Sequence, residues 1–256
     1  LNYDFTGNFA LYRNKITDLP ESVVNNYGGN GTTVNILGHP WGSGYGYVAD
    51  GLFTTDDEVA NSAEQLGKGL GRIRYKDLTG DGTIDSRDQT WIYNPNPDFS
   101  YGFNFYFQYK GFDLTMFFQG VGHVEINVYG VKSMTDFWSI NETGSNKGTR
   151  LLDAWSVSNP NSDIPALTST DRNNETRFST YFIENGAYMK LRNLQLGYTL
   201  PSRLTKKFFV NNLNLYVSAQ NVFTIKSKAS TGIDPETPGF GYPIPTMVTT
   251  GIKVSF

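Results

Sequence analysis

A run of closely spaced acidic residues is the part of the sequence best suited to chemistry. Ca²⁺ prefers about six to eight hard oxygen ligands, and a loop of about 12 residues can supply them from alternating positions. The matching donors here are Asp77, Thr79, Asp81, Thr83, Asp85 and Asp88. Gly82 stands where such a loop turns sharply, and Ile84 stands at its apolar anchor. The pattern predicts a structural calcium site.

Two features separate this run from a helix-flanked calcium loop. Its last ligand position holds Asp88 instead of Glu, which shortens the reach of a bidentate carboxylate. The preceding residues 72–75 have the pattern of an extended segment and not of a helix. The alternative is therefore an Asx-turn loop, in which the Asp side chains accept hydrogen bonds from their own backbone. Either arrangement is structural.

Groups suited to catalysis are sparse. His39 and His123 are the only histidines and are far apart in the sequence, so neither a zinc site nor a Ser-His-Asp set can be assembled. Residues 56–57 and the pair Asp234 and Glu236 could serve a glycosidase, but solvated loop charge explains them better. No phosphate-binding or dinucleotide-binding motif is found in a suitable context. The sequence predicts no enzyme.

Aromatic side chains lie among Asn and Asp residues in the middle of the chain. They are Tyr129, Phe137, Trp138 and Trp155. Rings of this kind can stack on sugar rings or on peptide side chains, which makes them candidate substrate contacts. The alternative is that they pack a small core of their own loop, or a partner protein.

The composition favours a β-rich protein with an apolar surface. Hydrophobic residues make up only 38% of the chain, whereas aromatics reach 15%, with 18 Phe and 16 Tyr. Transmembrane β-barrels show this combination, since only every second strand residue must be apolar. No window reaches the roughly 20 apolar residues of a membrane-spanning helix. A net charge of −3 without a basic cluster argues against nucleic acid as a partner. A secreted β-sandwich is the other fold with such a composition.

Six segments alternate between apolar and polar residues, as strands with two different faces do. They are residues 1–12, 101–109, 112–119, 189–200, 213–219 and 247–256. A bulge near Asn193 is expected, because the apolar parity changes there. A row of aromatics on one strand face is an aggregation hazard in water but suits lipid. The residues predicted to face the membrane are Tyr101, Phe103, Phe105, Phe107, Tyr109, Phe112, Leu114, Met116, Phe118, Leu194, Leu196, Tyr198, Val248, Ile252, Val254 and Phe256.

The links between these strands alternate in length. Residues 110–111 form a tight hairpin and residues 201–212 a medium link, whereas residues 13–100 and 120–186 are long. Outer-membrane barrels have short periplasmic turns and long extracellular loops, so the two long segments are predicted to be extracellular. Apolar rings inside the first one predict that it is a structured domain. Those residues are Trp41, Tyr45, Tyr47, Phe53 and Trp91.

Several short runs, taken in order, resemble SusC-like TonB-dependent transporters of the outer membrane. They are residues 41–53, 75–85, 96–103, 109–114, 117–120, 153–155, 185–201 and 218–224. Each run alone is a weak signal, and together they extend along nearly the whole chain. The strand that ends the sequence on an aromatic residue also resembles the assembly signal of bacterial outer-membrane proteins.

The resemblance implies an all-β chain that forms the C-terminal part of a plugged barrel of about 22 strands. This chain would supply about six of those strands and their large loops, while the N-terminal plug and the TonB-contacting segment lie outside it. The family implies a SusD-like surface lipoprotein as lid, and TonB-driven uptake of oligosaccharides or peptides across the Gram-negative outer membrane. Two alternatives are a passive porin and a soluble secreted carbohydrate-binding or adhesive β-domain.

Overall fold

The computed structural model describes residues 1–24, 36–138, 146–228, 230–232 and 234–255. Its strands are β1 (Asn2–Leu11), β2 (Gly44–Tyr47), β3 (Ala49–Leu52), β4 (Ile73–Tyr75), β5 (Gln89–Tyr93), β6 (Phe99–Tyr109), β7 (Phe112–Gly122), β8 (Glu125–Asn127), β9 (Ile183–Asn185), β10 (Tyr188–Thr199), β11 (Asn212–Lys226) and β12 (Met247–Ser255). The helices are short: α1 (Glu21–Val24), α2 (Asp56–Asn61), α3 (Tyr129–Thr135) and α4 (Ser202–Thr205).

One antiparallel sheet of six strands dominates the structure, in the order β1-β6-β7-β10-β11-β12. These are the six strands predicted from the alternation, so that prediction is confirmed. The predicted last strand extends to Phe256, which lies outside the described residues, and the described strand ends at Ser255. Within the described ranges, no helix is both long enough and apolar enough to span a membrane.

The hairpin between β6 and β7 has the predicted two-residue turn. Tyr109 pairs with Phe112, and the residues between them, Lys110 and Gly111, have φ values of 48° and 87°. Two successive positive φ values match the twist of the flanking strands, and glycine adopts the second at no steric cost. The turn therefore fixes the register between β6 and β7.

The strand register sorts side chains onto two chemically different faces. Directly paired residues point to the same side of a sheet, so rows of paired residues define each face. One row consists of Phe5, Phe105, Met116, Leu194, Ala219 and Val248. The adjacent row, on the opposite face, consists of Asp4, Tyr106, Thr115, Gln195, Ser218 and Thr249. All described residues predicted to face the membrane share the apolar face, and their contact with lipid stays a prediction.

The expected bulge in β10 is confirmed. The pairing of β10 with both of its neighbours shifts between Leu191 and Asn193: Arg192 is an extra residue opposite β7, whereas opposite β11 it is β11 that has one residue more. Above this point Leu191 pairs with Phe118, and below it Leu194 pairs with Met116. Because a bulge adds one residue to a period of two, the apolar positions change parity while staying on one face.

The compact core lies outside the large sheet. Its buried residues are Leu52, Ile73, Tyr75, Ile84, Phe137, Trp155 and Phe182. The first four belong to the connection between β1 and β6, and the last three to the connection between β7 and β10. A parallel bridge between Tyr47 and Ser179 also joins the two connections. Together they form one packed unit, in agreement with the prediction of a structured domain.

Phe182 provides the sharpest test of this shared core, because it is 0% exposed and contacts Phe137 and Tyr129. We expect Phe182→Ala to destabilise the unit by about 3–5 kcal/mol, through lost transfer energy and a residual cavity. Hydrogen exchange of the two connections measures this loss. The control is Trp138→Ala at an exposed ring, for which the change should stay below about 1 kcal/mol. Equal effects of both variants would refute the assignment of the core.

Candidate functional site

Three long connections leave the large sheet from the same end. Residues 12–98 join β1 to β6, residues 123–187 join β7 to β10, and residues 227–246 join β11 to β12. Consecutive strands of the sheet are antiparallel neighbours, so the shorter links 110–111 and 200–211 lie at the opposite end. This matches the expected alternation of link lengths. The extracellular position of the long connections stays a prediction.

A buried polar network ties the first connection to the second. Glu175 accepts a hydrogen bond from the Ile73 backbone N–H at 2.9 Å and pairs with the Arg72 guanidinium at 2.9 Å. The Gln65 amide donates to the Asn173 Oδ1 at 2.6 Å. Burial raises the pKa of Glu175, while the charge of Arg72 opposes that shift. Because these buried groups of the two connections bind each other, the network fixes how the connections dock.

Hydrogen bonds to Glu184, which is also paired with Lys132, tie the middle connection to the last one. The Lys132 ammonium donates to the Tyr181 carbonyl at 2.6 Å and lies 3.1 Å from a Glu184 carboxylate oxygen. The same carboxylate accepts hydrogen bonds from the backbone N–H and the hydroxyl of Thr231, both at 2.9 Å. The three connections are thus linked in series by polar contacts.

Asp234 and Glu236 correct one interpretation of the sequence. We expected solvated loop charge, but Asp234 is buried and both carboxylates contact the Lys190 ammonium, at 2.7 Å and 2.5 Å. Arg192 adds a further ion pair with Glu236. The sequence signal was available, since Lys190 and Arg192 interrupt an apolar strand, but their partners lie more than forty positions away.

Asp88 organises the acidic loop from its centre. It is 0% exposed, and its Oδ1 accepts hydrogen bonds from the backbone N–H groups of Leu78 and Thr79 at 2.9 and 3.1 Å. Its Oδ2 accepts from the Asp85 N–H at 2.8 Å. A buried carboxylate with several N–H donors replaces the water it has lost, so it holds the two ends of the loop together.

The outer carboxylates of the loop also have protein partners. Asp77 accepts from the Gly80 and Gly82 N–H groups at 2.6 and 2.8 Å, and these bonds, led by that of Gly82, lower the pKa of Asp77. Arg87 pairs with Asp81 at 2.6 Å and with Asp85 at 2.7 Å. A carboxyl group whose pKa is lowered by folding stabilises the folded state at pH values above its ordinary pKa. This stabilisation is lost as the pH falls through the lowered pKa.

This geometry bears on how a cation would fit. In the described part of the chain, no three or more His, Asp or Glu side chains are grouped so that they could hold a metal ion. The loop carboxylates instead face N–H groups and a guanidinium, as in the Asx-turn alternative. Calcium binding stays a prediction, and it requires these oxygens to exchange their present partners for the ion.

The predicted substrate-stacking aromatics have different environments. Phe137 and Trp155 are buried in the shared core, as in the alternative that these rings pack a small core of their own loop, and substrate contact by them stays a prediction. Tyr129 packs against Phe182 at 4.7 Å between ring centroids. Trp138 is 52% exposed, and ligand contact by its ring stays a prediction. The alternation of apolar and polar residues could not show which of these rings are buried, because all four lie in the connection between β7 and β10, outside the strands of the large sheet.

The two histidines have structural neighbours. His39 stacks on Trp91 with ring centroids 4.2 Å apart. His123 bonds to Asp98 at the base of the second connection, and this bond is the main cause of the lowered pKa of Asp98. Arg13 also pairs with that carboxylate at 3.5 Å. The contact between His123 and Asp98 joins the end of β7 to the start of β6.

Sequence comparison gives consistent relatives. The chain is 31% identical over 247 residues to the TonB-dependent receptor P3 of Formosa agariphila, which covers 92% of this chain and 24% of that receptor. It is 25% identical over 242 residues to the TonB-dependent receptor SusC of Bacteroides thetaiotaomicron, covering 91% of this chain and 22% of SusC. No family model matches the chain.

The fold agrees with these relatives. The structure of the RagAB peptide transporter matches with a TM-score of 0.71 and 22% identity, over 99% of this chain and 27% of that one. The RagAB peptide importer in its open-open state matches with a TM-score of 0.67 and 24% identity, over 100% of this chain and 27% of that one. The chain is thus similar in sequence to part of the TonB-dependent receptors, SusC among them. It spans about a quarter of the length of the relatives it matches.

A substitution at Asp88 tests whether this residue holds the acidic loop together. Asp88→Asn replaces one acceptor oxygen with an N–H donor that faces other donors, which should cost about 1–3 kcal/mol locally. Limited proteolysis of residues 77–88 measures the loss as faster cleavage. Asp81→Asn is the matched control, since its amide oxygen can still accept from the Thr83 N–H. If both variants are cleaved at the rate of the parent protein, Asp88 does not organise the loop.

Proposed function

We propose that this chain forms wall and loops of a TonB-dependent importer in the bacterial outer membrane. The observation that carries the proposal is the apolar face that extends across all six strands of the large sheet. The SusC-like relatives supply the transporter class. In this role the apolar face meets hydrocarbon and the polar face lines the interior of a barrel.

The exposure of the apolar face supports hydrocarbon as its neighbour. Ile252 and Val248 are 65% and 68% exposed, and Phe103 and Phe105 are only half-buried. Among the described apolar-face residues of the six strands, Leu191 is the large side chain that belongs to the buried set. A soluble β-domain would cover such a face with a second layer, because a large exposed apolar surface promotes aggregation. This favours the membrane over the soluble binding domain.

The long connections suit contact with a surface partner. Leu152 and Val157 are more than four-fifths exposed, although they flank the buried Trp155. Large apolar side chains left open on an ordered loop are typical of surfaces that another protein covers. We assign this partner to a SusD-like lipoprotein that closes over the connections. The RagAB structure is that of a peptide transporter, but its cargo is not transferred to this chain. Both oligosaccharide and peptide cargo fit the proposal.

Energy coupling distinguishes the importer from a passive porin. The named sequence relatives are TonB-dependent receptors, whereas a porin shares only the strands. In the proposed importer TonB acts on a plug that this chain does not supply, so these residues provide wall and cargo contacts. The test is uptake of candidate glycans and peptides by cells that carry the protein with and without TonB. Equal uptake of the same cargo in both strains would support a porin instead.

The lipid-facing assignment predicts a large difference between two neighbouring aromatic positions. Phe105→Arg places a charge on the apolar face, which should cost about 2–4 kcal/mol near the membrane midplane. Tyr106→Arg is the matched control, because it makes the same change one residue along on the polar face. We expect the first variant to assemble poorly in membranes and the second to assemble normally, measured by protease-protected protein. Equal assembly of both would contradict the proposal.

We also propose that the acidic loop binds Ca²⁺ as a structural ion. The carboxylates of Asp77, Asp81 and Asp85 recur every four residues along the loop, and their side chains are partly open to solvent. Adding Ca²⁺ to chelator-treated protein should slow proteolysis of residues 77–88, whereas Mg²⁺ at the same concentration should not.

The test variant is Asp77→Asn. It should abolish the protection of residues 77–88 by Ca²⁺, while the proteolysis rate of the remaining connections stays unchanged. Asp163→Asn, at an exposed carboxylate outside the loop, should keep the effect. Protection that is independent of Ca²⁺ in the parent protein would leave the Asx-turn arrangement as the correct account of the loop.

A further inference from the structure

The end of the last connection, residues 234–246, lies against the polar face of the large sheet; we call it the strap. Lys190 and Gln119 are paired neighbours on that face. Lys190 binds Asp234 of the strap, and Gln119 accepts a hydrogen bond from Arg192, which binds Glu236 of the strap. The strap reaches this position from β11 and continues into β12. It therefore covers the sheet on the side that faces away from the apolar surface.

Charge fixes the beginning of the strap. The Lys190 ammonium, 1% exposed, donates to both Asp234 carboxylate oxygens at 2.7 Å and to Glu236 at 2.5 Å. Arg192 and the Tyr188 hydroxyl both donate to the other Glu236 oxygen. Tyr188, Lys190 and Arg192 come from the same strand, so one segment of β10 holds both carboxylates.

Apolar packing of the strap is confined to its beginning, where Pro235 is buried. Phe240 is 60% exposed and Tyr242 is 98% exposed, so its two aromatic rings lie at the surface. The far end is tied by hydrogen bonds alone, from the Asn221 amide to the Pro245 carbonyl at 3.1 Å and from the Thr246 hydroxyl to the Asn221 carbonyl at 2.9 Å. In the described part of the strap, the ion pairs are therefore its strongest attachment.

The strap lines a cavity of about 270 Å³. Pro235, Glu236 and Pro238 form one side of this cavity. The sheet contributes Val121 and Tyr188 to the lining. The connection between β1 and β6 and the connection between β7 and β10 contribute the remaining walls. The cavity lies where the sheet and all three connections meet, so movement of the strap would open it towards the polar face.

We propose that the strap is a lid locked by charge, which the ion pairs of Lys190 and Arg192 hold shut over this cavity. Breaking a buried ion pair leaves an uncompensated charge, so loss of one partner strongly favours the open arrangement. Because little apolar surface is buried, opening the strap leaves the shared core of the connections intact. The strap then behaves as an opening unit separate from the rest of the protein.

The test follows the motion of the strap in the protein assembled in membranes. A spin label is attached at Tyr242→Cys, a position that tolerates change because it is exposed, and the chain has no other Cys. In Lys190→Met we expect a mobile spectral component, with amide exchange of residues 239–246 accelerated roughly tenfold or more. Exchange of β4 should stay unchanged, since its pairing with β3 does not involve the ion pairs of Lys190 and Arg192.

Two further variants keep the test decisive. Lys207→Met makes the same substitution at an exposed lysine in the opposite link and should match the parent protein. Glu236→Gln keeps the shape of the side chain and should mobilise the strap in the same direction; it decides the question if Lys190→Met fails to assemble. A strap that stays immobile in the assembled variant would overturn the proposal. The readout needs no cargo, so it is independent of the proposed import function.

Discussion

The structure depends on one constraint: the apolar face of the six-stranded sheet has to meet an apolar neighbour. Strand pairing places Phe105, Leu194 and Val248 in one row on this face, and the described connections pack elsewhere. In water such a face would drive association, whereas in a bilayer it meets hydrocarbon, and the inner strands of the sheet pair their backbone groups with both neighbours. The polar opposite face, the short links at one end and the long connections at the other all follow from this arrangement.

Above the sheet, apolar packing and buried charge have different roles. The shared core around Phe182 makes the first two connections a single unit, and Glu175 with Arg72 fixes how they dock. Buried ion pairs contribute little net stability compared with apolar packing, but they are costly to break singly, so they specify one arrangement. The last connection lacks such a core and is held to β10 by Lys190. This division separates a rigid unit from one element that can move.

The sheet was predictable from sequence because its signal is local. Alternation placed the six strands, and the parity change at Asn193 revealed the bulge before any pairing was known. The connections were less predictable, because their contacts join residues about a hundred positions apart, as with Arg72 and Glu175. Trp155 and Trp138 look alike in sequence, yet only the fold shows that one is buried and the other exposed. Asp234 was misjudged for the same reason, since its partner lies in another element.

The central claim, that the face carrying Phe103, Phe105 and Phe107 meets hydrocarbon, can be measured directly by spin labelling. Single cysteines at positions 103 to 108 are labelled in the membrane-assembled protein, and collision with oxygen is compared with collision with a water-soluble nickel complex. The account predicts a period of two, with positions 103, 105 and 107 accessible to oxygen and positions 104, 106 and 108 accessible to nickel. Labels at 103, 105 and 107 that neither reagent reaches would place this face in a protein interior and contradict the account.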